Sequence, residues 1–212
     1  MIWLFIILAV ALIALAGFAL AVVLGASAVA GLRPNPANDR HLLSKPIEGF
    51  RYDDADRCRD GIPDGTKALE RWLEDNVRGE TWGIARCERW GGGDFSVHSE
   101  GRAIDWHLDA RNRKDRRAAI RLIRTLLASD RNGEPAALAR RMGVQGVIFN
   151  CRSWWSGAGG LGKYSYCYRD NGTKRDVLDP TQAHRDHVHI ELNWAGAHRR
   201  TSFWRSRFGK RY

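Results

Sequence analysis

Not one charged side chain occurs between Met1 and Leu32, and every Lys, Arg, Asp and Glu of the 212-residue chain lies from Arg33 onward. This partition divides the chain before any motif is read. The apolar run exceeds the roughly 20 residues that cross a bilayer, and the remainder of the chain carries the whole formal charge of +10. A signal peptide has a charged n-region and an apolar stretch of about 7–15 residues, whereas this run is about twice that length and begins with no Lys or Arg. Residues 1–32 are therefore expected to form an N-terminal apolar helix serving as a transmembrane anchor. The alternative is a signal segment cleaved near Ala30, where Ala26, Ala28 and Ala30 supply small residues. Arg33, Arg40 and Lys45 lie close behind, and positive charge tends to stay cytoplasmic. Orientation stays open on these grounds.

The composition, 44% hydrophobic and 27% charged, excludes a disordered chain. Its four cysteines, Cys58, Cys87, Cys151 and Cys167, include no CxxC pair, which argues against a zinc ribbon or thioredoxin-type site. An even number behind an export-like segment reads as two disulfides. Cys58–Cys87 and Cys151–Cys167 are the favoured pairs, because the second would restrain a Gly-rich loop. The competing reading is four buried thiols in a cytosolic protein.

Residues 33–52 contain three prolines and no hydrophobic periodicity, so a linker is expected there. A globular domain is expected over 53–204, and 205–212 form a basic tail. Leu69, Trp72, Leu73 and Val77 recur at helical spacing and predict a helix from Asp64 to about Val77, capped by Asp64 or Thr66. A second helix is predicted from about Arg113 to Ser129, with Ile120, Ile123, Leu126 and Leu127 buried and its Arg/Lys-rich side solvated. A third begins after Pro135 and stops at Gly143. Thr81 to Arg86, Phe95 to His98, Val144 to Phe149 and His187 to Leu192 read as extended segments. Gly91-Gly92-Gly93 interrupts the chain between the first two. Cys151 to Gln182 reads as a long loop rich in Gly, Tyr and Trp, and loops of that length are usually functional. The expected fold is α+β: a small central antiparallel sheet with helices packed on one side.

Five of the seven histidines (98, 107, 184, 187 and 189) lie in or beside two short segments, Ser96 to Asp105 and His184 to His189. If Gly101 and Arg102 turn a hairpin, His98 and Asp105 fall opposite each other on adjacent strands, with Cβ atoms roughly 5 Å apart. His187 and His189, two apart on a strand, share a face. Three N/O ligands with one open position make a catalytic zinc site in a surface cleft, and such a zinc supports amide hydrolysis. A lone His-x-His on a strand is more often an ordinary sheet pair; the clustering is what argues for chemistry.

The pattern Ser-x-His-x-x-Gly-x-Ala-x-Asp, matched by Ser96, His98, Gly101, Ala103 and Asp105, resembles the signature of the D-alanyl-D-alanine carboxypeptidase family, peptidase family M15. Asp186-His187-Val188-His189 resembles that family's second motif, and the spacing of His184, His187 and His189 looks like its murein endopeptidase branch. The stretches Ala139 to Val144 and Arg200 to Trp204 look like exported actinobacterial members. The resemblance covers roughly Tyr52 to Trp204. It implies one Zn2+ bound by His98, Asp105 and His189. Asp186 would be the base that takes a proton from the attacking water, and His184 and His187 would orient the site or stabilise the oxyanion. Strict alternation puts Asp186 on the face opposite His189, in which case His187 is the better base.

The implied substrate is a peptidoglycan stem peptide cut beside a D-amino acid. Arg86 or Arg102 would clamp its carboxylate, although either can equally be a surface charge. Trp154, Trp155, Tyr164 and Tyr166 either line a groove or close their loop onto the core. The tail cations Arg205, Arg207, Lys210 and Arg211 suit an anionic wall polymer or lipid, or else a frayed solubilising end. No nucleic-acid-binding pattern is present, and a monomer in the cell envelope, outside the cytoplasm, is expected. A non-catalytic wall-binding module and a metal-dependent nuclease are the competing functions.

Overall fold

The computed structural model describes residues 35–89 and 94–212. The expected apolar helix over 1–32 and the triple glycine at 91–93 lie outside them. Among the described residues, no helix is long and apolar enough to cross a membrane.

The architecture is α+β. Six strands form one sheet: β1 (Thr81–Gly83), β2 (Ala103–His107), β3 (Val144–Phe149), β4 (Arg152–Trp155), β5 (Gly162–Lys163) and β6 (His187–Leu192). They lie in the order β1-β2-β6-β3-β4-β5, every neighbouring pair antiparallel. The central strand β6 is the last in sequence, so the two halves of the sheet are joined late. The helices are α1 (Arg40–Leu43), α2 (Asp64–Asn76), α3 (Arg113–Leu127), α4 (Ala137–Met142), α5 (Trp194–Ala197) and α6 (Ser202–Arg205).

Strand alternation sorts the sheet into two faces. Ile104 and Trp106, Val147 and Phe149, and Val188, Ile190 and Leu192 enter one core with Leu69 and Leu73 of α2 and Leu122, Ile123 and Leu126 of α3. Full burial of each such side chain contributes about 1.5–3 kcal/mol. The opposite face carries the polar residues. Asp105 of β2, His189 of β6 and Ile148 of β3 form one row across it, and Ala103, Glu191, Gly146 and Trp155 form the next. Gly146 has no room for a side chain, because a Cβ there would meet the Trp155 ring at 2.6 Å and Glu191 Oε2 at 2.9 Å.

Several expectations change in the folded chain. Residues 35–52 are no free linker: Ala37 and Leu42 are fully buried in the main core. On α3 the stripe is rotated, so Ala119 and Leu122 are buried while Ile120 is exposed. Helix α2 begins after Pro63 with no side-chain cap, and Thr66 is buried instead. The segment after Cys151 contains β4, β5 and a 3-10 turn (Ser165–Cys167) rather than one long loop. The tail is docked, since Arg71 and Arg199 both donate to the Tyr212 carbonyl and Gly209 is buried. Both favoured disulfides, Cys58–Cys87 and Cys151–Cys167, are formed.

Candidate metal centre

The first motif does not fold as a hairpin. Val97–Glu100 is a 3-10 turn, opened by Ser96, whose side chain accepts from the His98 N–H, and closed by Gly101 in the left-handed region at φ 63°. A residue other than Gly is strained in that conformation. The turn swings His98 over the sheet, while Asp105 projects from β2 and His189 from the directly opposed position of β6. Three chain-distant donors thereby meet. His98 Nε2 lies 3.1 Å from Asp105 Oδ1 and 3.1 Å from His189 Nδ1, and His189 Nδ1 lies 2.9 Å from Asp105 Oδ1. All three residues are buried.

The residues fit a metal ion by size and by proton placement. Zinc ligands about 2.0–2.1 Å from the ion in tetrahedral array stand about 3.3–3.4 Å apart, so this triangle needs to open by only a few tenths of an ångström. Each imidazole has its outer nitrogen engaged by an acceptor. His98 Nδ1 donates to the Ile84 carbonyl at 2.6 Å, and His189 Nε2 donates to Glu191 Oε1 at 2.9 Å. His98 turns its Nε2 lone pair into the triangle, and a cation that displaced the His189 Nδ1 proton would be shared by all three residues. Arg86 Nη1 holds Asp105 Oδ2 at 2.8 Å, leaving Oδ1 for the ion.

Electrostatics agree with this arrangement. Burial pushes the His98 imidazole below its usual range, so it is neutral. Burial pushes the Asp105 carboxyl up, but the hydrogen bond and charge of His189 outweigh it and hold the group far below the carboxylate range. Burial also disfavours a charged His189, yet its bonds to Asp105 and Glu191 prevail and raise it to about 9. The same bond keeps Glu191 lowered against the opposing effect of burial.

Around the triad stand the other expected residues. His187 shares the sheet face with His189; its Nδ1 donates to Asp186 Oδ1 at 2.8 Å and its Nε2 lies 3.4 Å from Asp105 Oδ1. Asp186 turns away from the His-Asp-His triad and accepts from the Thr181 hydroxyl through its other oxygen. His184, at φ 50°, donates Nδ1–H to the Gln182 carbonyl and packs 4.7 Å from His187 and 5.4 Å from His189. Burial pushes its pKa down to about 2, so its Nε2 is a free acceptor.

A cavity of about 470 Å³ opens over the triad, with Tyr52, Arg86, Trp155, Tyr164, His184 and Glu191 in its wall. Trp155 and Tyr164 thus face the site, whereas Trp154 belongs to the core and Tyr166 packs on Tyr164 around the Cys151–Cys167 bridge. Arg102 is no clamp. It is fully buried, bonded to Glu100 and to the Leu192, Asp53 and Asp54 carbonyls. Glu191 is the residue of this cluster that motif reading missed, although the two-residue period through His187 and His189 points at it.

Fold and site together define an α+β domain with a preorganised His-Asp-His centre able to hold one metal ion. The chain belongs to the family described as VldE, C-terminal domain, whose model matches residues 58–188. That match spans His98, Asp105, His184 and His187 and stops one residue before His189. No curated protein and no solved structure matches the chain.

Proposed function

We propose that this protein is a zinc-dependent peptidase that hydrolyses peptide bonds next to D-amino acids in peptidoglycan stem peptides, held in the cell envelope by its apolar N-terminal run. The single observation behind the reading is the triangle of His98 Nε2, Asp105 Oδ1 and His189 Nδ1, whose edges are 2.9–3.1 Å, beside a cavity large enough for a short peptide. The resemblance of the two motifs to the M15 peptidases supplies the substrate class.

Bound there, a zinc ion supplies Lewis acidity that polarises a carbonyl and acidifies a water. The chain's own groups do the rest. His187 Nε2 faces the centre and accepts the proton of the attacking water, while Asp186 holds the ring through Nδ1 and stabilises the imidazolium. His184 offers only an acceptor and takes an N–H of the substrate, not the oxyanion. Arg86, the cation on the cavity wall, receives a carboxylate.

The test is mass spectrometry of defined stem peptides incubated with the purified full chain. Cleavage beside a D-residue that disappears with chelator and in His98→Ala supports the peptidase. Tight binding to purified wall with intact peptides would make it a binding module instead.

A further inference from the structure

The 3-10 turn that carries His98 is gripped by two flanking segments. Residues 84–88 form the first. The Ile84 carbonyl accepts from His98 Nδ1, the Arg86 N–H donates to the His98 carbonyl at 3.2 Å, and Arg86 Nη1 holds Asp105 Oδ2. Glu88 and the Ser99 hydroxyl bond each other twice: the Glu88 N–H donates to Ser99 Oγ at 2.9 Å, and Ser99 Oγ donates to the Glu88 carbonyl at 2.8 Å. Residues 56–59 form the second. The Arg59 N–H donates to the Ser99 carbonyl at 2.7 Å, and Arg59 Nε donates to Glu100 Oε1 at 3.1 Å. Both segments lie outside the strands and helices, so no regular ladder of backbone hydrogen bonds fixes either of them. The Cys58–Cys87 disulfide joins one to the other.

That bond stands where it acts on the centre. Cys87 follows Arg86 directly, and its segment supplies an outer partner to His98 and another to Asp105, two of the three donors. Outer partners of this kind fix the orientation of metal-binding side chains. A covalent link restricts the conformations open to the segments it joins, including those in which Ile84 and Arg86 let go of the triad. The other disulfide bears on a different part of the site. Cys151 and Cys167 are buried with Ala183 and pack against Tyr164 and Tyr166. Cys58 and Cys87 are both exposed, so a thiol in solution reaches their bond more readily than the buried one.

We propose that the Cys58–Cys87 bond is coupled to metal binding at the His98-Asp105-His189 centre: the closed bond tightens metal binding, and bound metal resists opening of the bond. Cys58 and Cys87 are then positioning residues that act through Ile84 and Arg86. Opening consumes two molecules of a thiol reductant. The protein S–S bond breaks, each cysteine sulfur gains one hydrogen, and the two reductant sulfurs join as a disulfide. By linkage, the factor by which the bond changes metal affinity equals the factor by which saturating metal changes the opening equilibrium. This coupling rests on the metal-centre part of the proposed function and not on peptide hydrolysis.

The experiment uses the full chain and zinc, with two readouts that need no activity. In a chelator competition, the variant carrying Cys58→Ser and Cys87→Ser should bind zinc at least about tenfold more weakly than the oxidised chain. Its far-ultraviolet circular dichroism should be unchanged and its Cys151–Cys167 bond intact by mass spectrometry. In glutathione redox buffers at fixed free zinc, alkylation and mass spectrometry read the open fraction of each bond. Saturating zinc should raise the ratio of squared thiol to disulfide concentration at half-opening of Cys58–Cys87 by the same factor, with no comparable rise at Cys151–Cys167. Should the double variant fail to fold, the redox readout on the unsubstituted chain decides alone. Equal zinc affinity with and without the bond, a half-opening ratio that does not rise with zinc, or an equal rise at both bonds overturns the coupling and leaves the metal centre standing. An oxidised chain that binds no zinc overturns the coupling and the proposed function together.

Discussion

Asp186 Oδ1 accepts the Nδ1–H of His187 at 2.8 Å, which aims the His187 Nε2 at Asp105 Oδ1, 3.4 Å away. The acid is therefore one imidazole removed from the His98-Asp105-His189 triad. Of the two residues proposed as the base, His187 lies next to Asp105 and Asp186 lies behind His187.

His187→Ala is expected to lower kcat by about 10²–10⁴, the usual worth of a positioned acid–base group. Asp186→Asn should cost less, about tenfold, with metal content unchanged by elemental analysis. A larger loss in Asp186→Asn than in His187→Ala would return the base role to the carboxylate.

Glu191 holds the Nε2–H of His189 and is itself steadied by Tyr52 and Gln145. Outer partners of this kind are worth about 10–100-fold in metal affinity. Glu191→Gln should weaken zinc binding by that factor in a competition titration with a chromogenic chelator, without a shift in Tm of the metal-free protein beyond a few degrees. An unchanged affinity would remove Glu191 from the centre.

The metal-free centre holds a proton that the ion must displace. His189, raised to about 9 by Asp105 and Glu191 against the effect of burial, is protonated at pH 7, whereas a ligand imidazole must be neutral. Zinc binding at pH 7 should therefore release about one proton from this group, and affinity should rise with pH until about 9. Calorimetry in two buffers of different ionisation enthalpy reads the proton count directly. No release at pH 7 would contradict the assignment of His189 as a ligand.

The two arginines that look equivalent as clamps along the chain separate cleanly in the fold. Arg102 lies fully buried, bonded to Glu100 and stacked 4.5 Å from the Trp194 ring centroid. Arg102→Ala leaves the buried Glu100 with Arg59 as its one cation and the Leu192, Asp53 and Asp54 carbonyls without their donor. It should destabilise the fold by about 2–4 kcal/mol in denaturant titration. Arg86→Ala should leave Tm nearly unchanged and, at saturating zinc, raise KM for carboxylate-ended substrates, because Arg86 lines the cavity and is half exposed. Saturating metal offsets the loss of its bond to Asp105 Oδ2. A folding defect in Arg86→Ala without a KM effect would reverse this division.

Much of the domain was legible along the chain because it rests on short-range periodicity. Strands Val144–Phe149 and His187–Leu192 and the helix from Asp64 come from alternation and apolar spacing, and Gly143, in the left-handed region at φ 77°, ends its helix where a glycine stop was expected. The identities of His98, Asp105 and His189 as a set, and both cysteine pairs, were likewise present in motif and count. What the chain alone did not disclose concerns direction. A one-position rotation decided that Leu122, not Ile120, enters the core, and hydrophobic spacing is nearly degenerate to such a shift. Whether His98 rides a strand or a 3-10 turn, whether Arg102 faces solvent or interior, and which nitrogen of each imidazole is left free depend on partners such as the Ile84 carbonyl, Trp194 and Glu191. Those contacts exist only once β2, β3 and β6 lie side by side. Local sequence specifies which donors are available; the register of the sheet decides which of them meet.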